Sequence, residues 1–583
     1  MKKILVTLML ALLTVGLAYA MADEASPEYF SGDYHYILHS DGTAEITRFT
    51  GKPNQLAVPT ELDGHCVVGI GNEAFYLCDT VTSITLPDGV MYIGDNAFAS
   101  CFSLTSIVLP NSITSIGNHA FDLCVALTNV TLPDSVTSIG QNPFAGCISL
   151  SHINVSPDHP LLTTIDGVLF NKVDKSLICY PYAFNSTSYA IPHGICAIEE
   201  YAFYGSESLR SISLPDSVTN LENNPFMGCA NLTEIIVSPD HPVLTTIDGV
   251  LFNKVEKTLI WYPCASADES YTVPQGTYAI GKGAFVGCAA ITNITLPAGL
   301  TAIGDYAFNG CYSLTNVTLP DSVTSVGVGA FSSCSSLASI SLPNSLISIG
   351  DYAFNFCDAL TTITLPDSVT SVGANPFNYC KMLTQIIVSS NHPVLTTIDG
   401  VLISKNEKTL ICCPPALQHE IYVIPDGIIR IGDYAFDGCS TLTSITLPGS
   451  LTSIGNSAFE SCSSLTSLML PNNVTYIGDS AFSGCSSLTN VILPDGITSI
   501  GNSVFYWCTS LTSITLPTGV TSIGDGAFMF CFPLKNINLP ATVMHIGENA
   551  FEMCDSLYSI RVVKDSYAEE WALANGFSCT YVD

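Results

Sequence analysis

A Phe-x-x-Cys pair returns every 23 residues through most of the chain, and that period constrains the architecture more than any other feature. The phenylalanines are Phe75, Phe98, Phe121, Phe144, Phe203, Phe226, Phe285, Phe308, Phe331, Phe354, Phe377, Phe436, Phe459, Phe482, Phe505, Phe528 and Phe551, with Ser206 in place of one cysteine. The steps after Phe144, Phe226 and Phe377 are 59, which reads as 23 plus a 36-residue insertion. A fixed period of this length predicts a solenoid whose units bury their apolar faces only against their neighbours.

The stretch Leu442 to Cys462, LTSITLPGSLTSIGNSAFESC, serves as the model unit. Leu442, Ile445 and Leu447 alternate with small polar residues as a half-buried strand does. Pro448 ends the strand because it cannot donate to a ladder. Leu451 and Ile454 return to the core, and Gly455 permits a turn. Asn456 is then expected to cap a short helical turn carrying Ala458, Phe459 and Cys462. Aspartate holds this cap place at Asp95, Asp305, Asp351, Asp433, Asp479 and Asp525.

The pattern L-x-x-I-x-L-P-x-x-V-x-x-I-G-x-x-A-F-x-x-C resembles a leucine-rich repeat, and its A-F-x-x-C ending resembles the BspA-like class. The resemblance implies an α/β repeat solenoid: a superhelix with a concave parallel β-sheet, short helical turns or strands on the other side, and β-hairpin insertions. It also implies a secreted or surface protein that engages host or neighbouring-cell proteins. The expected organisation is a signal peptide over 1–20, an N-terminal hairpin cap over 21–65, the array over 66–563, and a helix-strand cap over 564–583. With a cap expected at each end, the chain reads as complete.

The three insertions, near 156–191, 238–273 and 389–424, are close copies: SPDHPLLTTIDGVLFNKVDKSLICYP, SPDHPVLTTIDGVLFNKVEKTLIWYP and SSNHPVLTTIDGVLISKNEKTLICCP. An Asp-Gly turn followed by two short apolar runs predicts a β-hairpin in each. Each follows a unit whose usual Ala before Phe is proline, at Pro143, Pro225 and Pro376, a residue suited to a first helical turn. Lys172, Lys175, Lys254, Lys257, Lys405 and Lys408 are expected at the hairpin tips. They read first as solvated turns and second as basic knobs for anionic partners.

The net charge of −33 argues against nucleic acid as a partner. Lys2, Lys3, the apolar run from Ile4 to Leu17 and Ala18-Tyr19-Ala20 read as a secretory leader. No membrane span is expected after its removal, so the protein is expected to be secreted or held at the cell surface non-covalently. The repeat cysteines stack at about the rung spacing of ~4.8 Å, wider than the ~3.8 Å a disulfide wants, and are expected to be buried thiols. A few of the other cysteines could pair. His159, His241 and His392 read as part of a repeated turn. No metal or cofactor site is expected, and no catalytic motif stands out from the repeat.

The outward strand positions form a lawn of hydroxyls and amides, such as Thr128, Asn129 and Thr131, or Thr512, Ser513 and Thr515. Departures from it are His152, Arg210, Glu234, Ile236, Gln385, Ile387, Lys535, Tyr558 and Arg561, and these are the candidate partner-binding residues. An adhesion or binding protein is the leading reading. A structural surface-layer component capable of self-association is the second, and an enzyme the third.

Overall fold

The structure, a computed structural model, describes residues 28–266, 268–417 and 419–582. The leader expected over 1–20 lies outside these residues. The chain divides between Thr164 and Ile165 into two compact units, and both follow the same rung plan.

A rung holds two short parallel strands separated by the proline turn. In the first unit the longer strands include Asn129–Leu132 and His152–Val155, paired in parallel with Val130 opposite Ile153. The shorter strands, Tyr92–Ile93, Ser115–Ile116 and Ser138–Ile139, form a second ladder. The second unit repeats this, for example Ser513–Thr515 against Asn536–Leu539 and Ser522–Ile523 against His545–Ile546. Partners lie 23 residues apart because each turn of chain must end where the next begins.

The short helical turn expected at A-F-x-x-C is not there. The backbone alternates instead, with left-handed residues two before and two after Phe in the rungs that lack the proline: Asn96 (φ 53°) and Ser100 (φ 60°) flank Phe98. Alternation turns every second N–H toward the next rung, so Phe98 donates to Ala120 O at 2.8 Å and Ser100 to Asp122 O at 2.7 Å. The residue two after Phe is glycine in several rungs, Gly310, Gly438 and Gly484 among them, with φ near 70°. Other residue types are strained there by about 1 kcal/mol. Ser333→Gly (φ 59°) is therefore expected to stabilise the fold by about 0.5–1 kcal/mol, read as a shift of the urea midpoint at unchanged slope.

The Asn or Asp expected to cap a helix ties rungs together instead. Asp95 Oδ1 accepts from the Asn118 backbone N–H at 2.7 Å, and Asn118 Oδ1 accepts from that of Gln141 at 2.8 Å. The same bond joins Asn456 to Asp479, Asp479 to Asn502 and Asn502 to Asp525. The invariant-looking glycine just before makes room for it: a Cβ on Gly117 would lie 2.5 Å from Asp95 Oδ1.

Inside, the phenylalanines form a stack, with Phe331 and Phe354 at 5.5 Å and parallel. Beside it the repeat cysteines do more than fill space. Cys101 Sγ donates to Phe75 O at 3.1 Å, and Cys124, Cys357 and Cys508 repeat the contact one rung on. A thiol supplies a weak donor to a carbonyl on the previous rung, which alanine or valine could not. Burial pushes thiols such as Cys311 and Cys485 up to about 12, so they stay protonated. One repeat cysteine departs from the expectation: Cys288 is disulfide-bonded to Cys264, with Cα atoms 4.5 Å apart. Cys264 is not its register equivalent. It follows Tyr262 by two residues instead of three, and that offset breaks the spacing argument.

The insertions also differ from expectation. Tyr262 lies 36 residues after Phe226 and 23 before Phe285, and Tyr180 and Cys413 lie at matching places. Tyr262 stacks on Phe285 at 4.9 Å, and Tyr180 meets Phe203 at 5.2 Å. The N–H groups of Tyr180, Tyr262 and Cys413 donate to Ala202, Ala284 and Ala435, as a repeat Phe would. Each 59-residue step is thus one rung lengthened by a hairpin, then one ordinary rung. In the second copy the hairpin is a three-stranded meander, Leu244–Ile247, Val250–Asn253 and Thr258–Trp261. Its last strand joins the short-strand ladder beside Ala279–Ile280.

No helix follows Pro143, Pro225 or Pro376. Proline is tolerated because the N–H it removes elsewhere closes only a long turn bond, Ala307 to Gly304 at 3.3 Å. The preceding asparagine replaces the missing rung contact. Phe226 N–H donates to Asn224 Oδ1, and Asn224 Nδ2 donates to Gly283 O at 2.9 Å. Asn375 reaches Tyr434 O in the same way at 2.7 Å.

Strands Glu28–Ser31, Tyr34–Leu38 and Ala44–Phe49 are antiparallel neighbours, and Phe49 packs on Phe75 at 5.2 Å. At the other end the helix Tyr567–Ala574 starts at Ser566, whose side chain accepts from Glu569 N–H. It buries Ala568 and Ala572 and sets Trp571 against Phe551 at 5.6 Å. The strand Ser578–Tyr581 closes the long-strand ladder. No helix among the described residues is long and apolar enough to cross a membrane.

Candidate functional site

The exposed face of the long-strand ladder follows from strand alternation: Val130, Ile363 and Ile514 point inward and the residues on either side point out. Part of the hydroxyl lawn is consumed by the ladder itself. Thr105 Oγ1 donates to Thr82 O at 2.8 Å, and Thr315, Thr466 and Thr489 donate one rung back likewise. The Ser, Asn and Thr residues one and three places further on remain facing solvent, as Asn129 and Thr131 do.

All nine irregular positions are exposed. In the first unit His152 lies opposite Asn129, its ring Nδ1 2.8 Å from Ser151 Oγ. In the second unit they fall into three groups. Glu234 and Ile236 lie beside Ser211 and Ser213, and the Arg210 carbonyl accepts from Thr233 and Glu234. Gln385 and Ile387 lie beside Thr362 and Thr364. Lys535, Tyr558 and Arg561 gather on the last rungs, with Arg561 opposite Asn538 and Tyr558 79% exposed.

Sequence reading passed over a further set on the same face. Met469, 70% exposed, lies directly opposite Ile492, and Ile421 and Val423 sit beside Ser444 and Thr446. The signal was present: each replaces a Ser, Thr or Asn at a fixed strand position. A shallow dent of about 340 Å³ opens beside Ile492, lined also by Asp495, Ser513 and Thr518.

The six hairpin lysines are exposed at the tips. Lys257 Nζ is 3.2 Å from Tyr278 Oη and lies over that ring, and Lys405 Nζ donates to His392 O. The insertion histidines are buried turn pins. His159 Nδ1 accepts from Leu161 and Leu162 N–H, and its Nε2 donates to Pro133 O at 3.1 Å. Burial lowers the pKa of His241. No group of three His, Cys, Asp or Glu able to hold a metal occurs among the described residues.

Titratable groups inside the turns set the pH response. Asp437 is buried, and burial followed by the Glu460 charge pushes its carboxyl up to about 7. Its pKa is thus higher folded than the unfolded ~3.9. The folded state holds the proton more tightly, so this contribution is complete below ~4 and lost as pH rises to about 7. Unfolding midpoints are expected to be lower at pH 8 than at pH 6, and Asp437→Asn is expected to shrink that difference.

The family described as "BspA type Leucine rich repeat region (6 copies)" matches residues 68–181, 176–260, 260–384, 417–508 and 484–582. No curated protein matches the sequence. Among solved structures, the chain is similar to a leucine rich cell surface protein from Faecalibacterium prausnitzii A2-165, at 24% identity over 96% of this chain and 99% of that one, with TM-score 0.37. It is similar to the pneumococcal vaccine antigen PcpA at 18% identity over 72% and 96%, TM-score 0.39. It is similar to the T. pallidum leucine rich repeat protein at 30% identity over 36% and 82%, TM-score 0.24. With the family matched across well over half its length, this chain belongs to the BspA-type leucine-rich repeat proteins.

Proposed function

We propose that this is an exported protein-binding protein that acts at the cell surface as an adhesin, using the irregular positions of the long-strand face. The observation that carries the reading is their grouping. Between Arg210 and Arg561, charged, aromatic and apolar side chains break the Ser, Thr and Asn pattern of the long-strand face in three local groups, each confined to one or two neighbouring rungs. Arg, Tyr and exposed aliphatic residues supply the contacts that dominate protein interfaces, whereas the Ser and Thr around them contribute little. Repeat-family membership supports protein interaction in place of catalysis.

The test is binding of the protein to an array of extracellular-matrix and plasma proteins at physiological salt. A variant with Arg210, Glu234, Gln385, Lys535 and Arg561 changed to the repeat's Thr, Ser or Asn serves as the control. Saturable binding lost in the control supports the reading. Binding that persists moves the site to the hairpin tips or the ends. No binding at micromolar concentration, with self-association instead, favours a structural surface-layer role.

A further inference from the structure

The residue three places before each Phe ties its rung to the next wherever it is Asn or Asp, so a residue that cannot do this is informative. Glu200, Asn223 and Lys282 hold that place in the rungs of Phe203, Phe226 and Phe285. A lysine ammonium has three donors and no acceptor, so Lys282 cannot accept the backbone N–H of the next rung as Asp95 does. The matching residues around the first hairpin are Asn118, Gln141 and Glu200, and those around the third are Asp351, Ala374 and Asp433. Only the second hairpin therefore has an amine beside a carboxamide in this column.

One buried carboxylate joins all three residues. Glu200 is 4% exposed. Its Oε1 lies 2.5 Å from Lys282 Nζ, and its Oε2 accepts from Asn223 Nδ2 at 2.7 Å. Asn223 stands between the other two in rung order. Its neighbour Asn224 donates through Nδ2 to Gly283 O at 2.9 Å, so the chain at Asn223 meets the chain at Lys282 across the lengthened rung. The Tyr201 ring, with its centre 5.5 Å from Nζ, sets an aromatic face beside the amine.

A carboxylate that holds an amine on one oxygen and a carboxamide on the other is placed to move protons between them. Fixing both partners also removes the entropic cost of bringing them together. Glu200 takes a proton from the Lys282 ammonium, and the freed lone pair on Nζ bonds to Asn223 Cγ. The Cγ–Nδ2 bond breaks, and its electron pair leaves with Nδ2. Two protons pass from Nζ through Glu200 to the departing nitrogen, which leaves as ammonium. One C–N bond replaces another, so no oxidant or reductant takes part.

We propose that Lys282 and Asn223 join in an intramolecular isopeptide bond, with Glu200 as the catalytic residue. The bond ties the Phe226 rung to the Phe285 rung where the Asn and Asp column is interrupted. The disulfide from Cys264 to Cys288 fixes the lengthened rung between them to the Phe285 rung as well. The site is separate from the irregular strand positions and stands whatever protein those bind.

The test is the mass of the intact, disulfide-reduced protein. It is expected to be lighter by one ammonia than the sum of its residues counted from the observed N-terminus. Proteolysis is expected to release a joined pair of peptides, one holding Asn223 and the other Lys282. Lys282→Arg keeps the ion pair but removes the nucleophile, and Glu200→Gln keeps the volume but removes the proton acceptor. Each variant is expected to show its full residue mass and a lower unfolding midpoint than the parent protein. A cooperative thermal transition confirms that both fold. Full residue mass in the parent protein overturns the proposal, as does an ammonia loss that persists in Lys282→Arg. Loss of water in place of ammonia also overturns it, since Glu200 would then be the acyl group.

Discussion

Phe331→Ala is expected to destabilise the array by about 3–5 kcal/mol. The ring is fully buried and stacked between Phe308 at 5.1 Å and Phe354 at 5.5 Å. Its removal opens a cavity that the neighbouring rungs cannot close. They are fixed in register by backbone bonds from Phe308 to Ala330 and from Phe331 to Ala353. In a solenoid the damage should stay local, because each rung touches only its neighbours. Hydrogen exchange should quicken over the rungs of Phe308 and Phe354 and stay slow near Phe505. Tyr76→Ala, at an exposed position of the corresponding turn of the Phe75 rung, should cost under about 1 kcal/mol. A cost below that for Phe331 as well would mean that the ring stack does not hold the rungs together.

The second large effect is expected from a single methyl group. Gly478→Ala would place its Cβ 2.5 Å from both the backbone N and Oδ1 of Asn456, and 2.6 Å from Gly455 C. Two of these three contacts are with backbone, so side-chain movement cannot relieve them. The two rungs must separate, breaking the Asn456 to Asp479 bond and its neighbours, at a cost of about 3 kcal/mol. The double variant Gly478→Ala with Asn456→Ala separates the causes. If it remains as unstable as Gly478→Ala in urea melts, backbone approach is responsible. Recovery would assign the clash to the asparagine side chain.

Much of this fold was legible because it is periodic. The 23-residue step, the alternation of L-x-x-I-x-L and the Asp-Gly hairpin turns all declare themselves in short windows. The A-F-x-x-C segment did not, because every second N–H, and the Cys thiol, bonds to residues 22 to 26 positions away instead of continuing a helical turn. A run such as Asn456-Ser457-Ala458-Phe459 looks locally like a capped helix start. Only the neighbouring rung turns Asn456 into a ladder residue. The left-handed backbone left a faint trace, the glycines at 310, 438 and 484 in the place Ser333 also occupies. The lengthened rungs were hidden because Tyr180, Tyr262 and Cys413 replace the Phe that marks every other rung. On the candidate face the charged and aromatic exceptions were visible from the repeat. Ile236 and Ile387 were visible in the same way, and Met469 and Ile492 carried the same signal but were passed over.

The most direct test of the account is the claim that each long step contains one additional rung of the same stack. It is read from amide hydrogen exchange at Tyr180, Tyr262 and Cys413, whose N–H groups donate to Ala202, Ala284 and Ala435 at 2.8, 2.9 and 2.7 Å. The account predicts protection equal to that of Phe308 and Phe459 within the same protein. Exchange as fast as at the hairpin tips, Val173 and Val255, would contradict it and return the insertions to loops laid outside the stack.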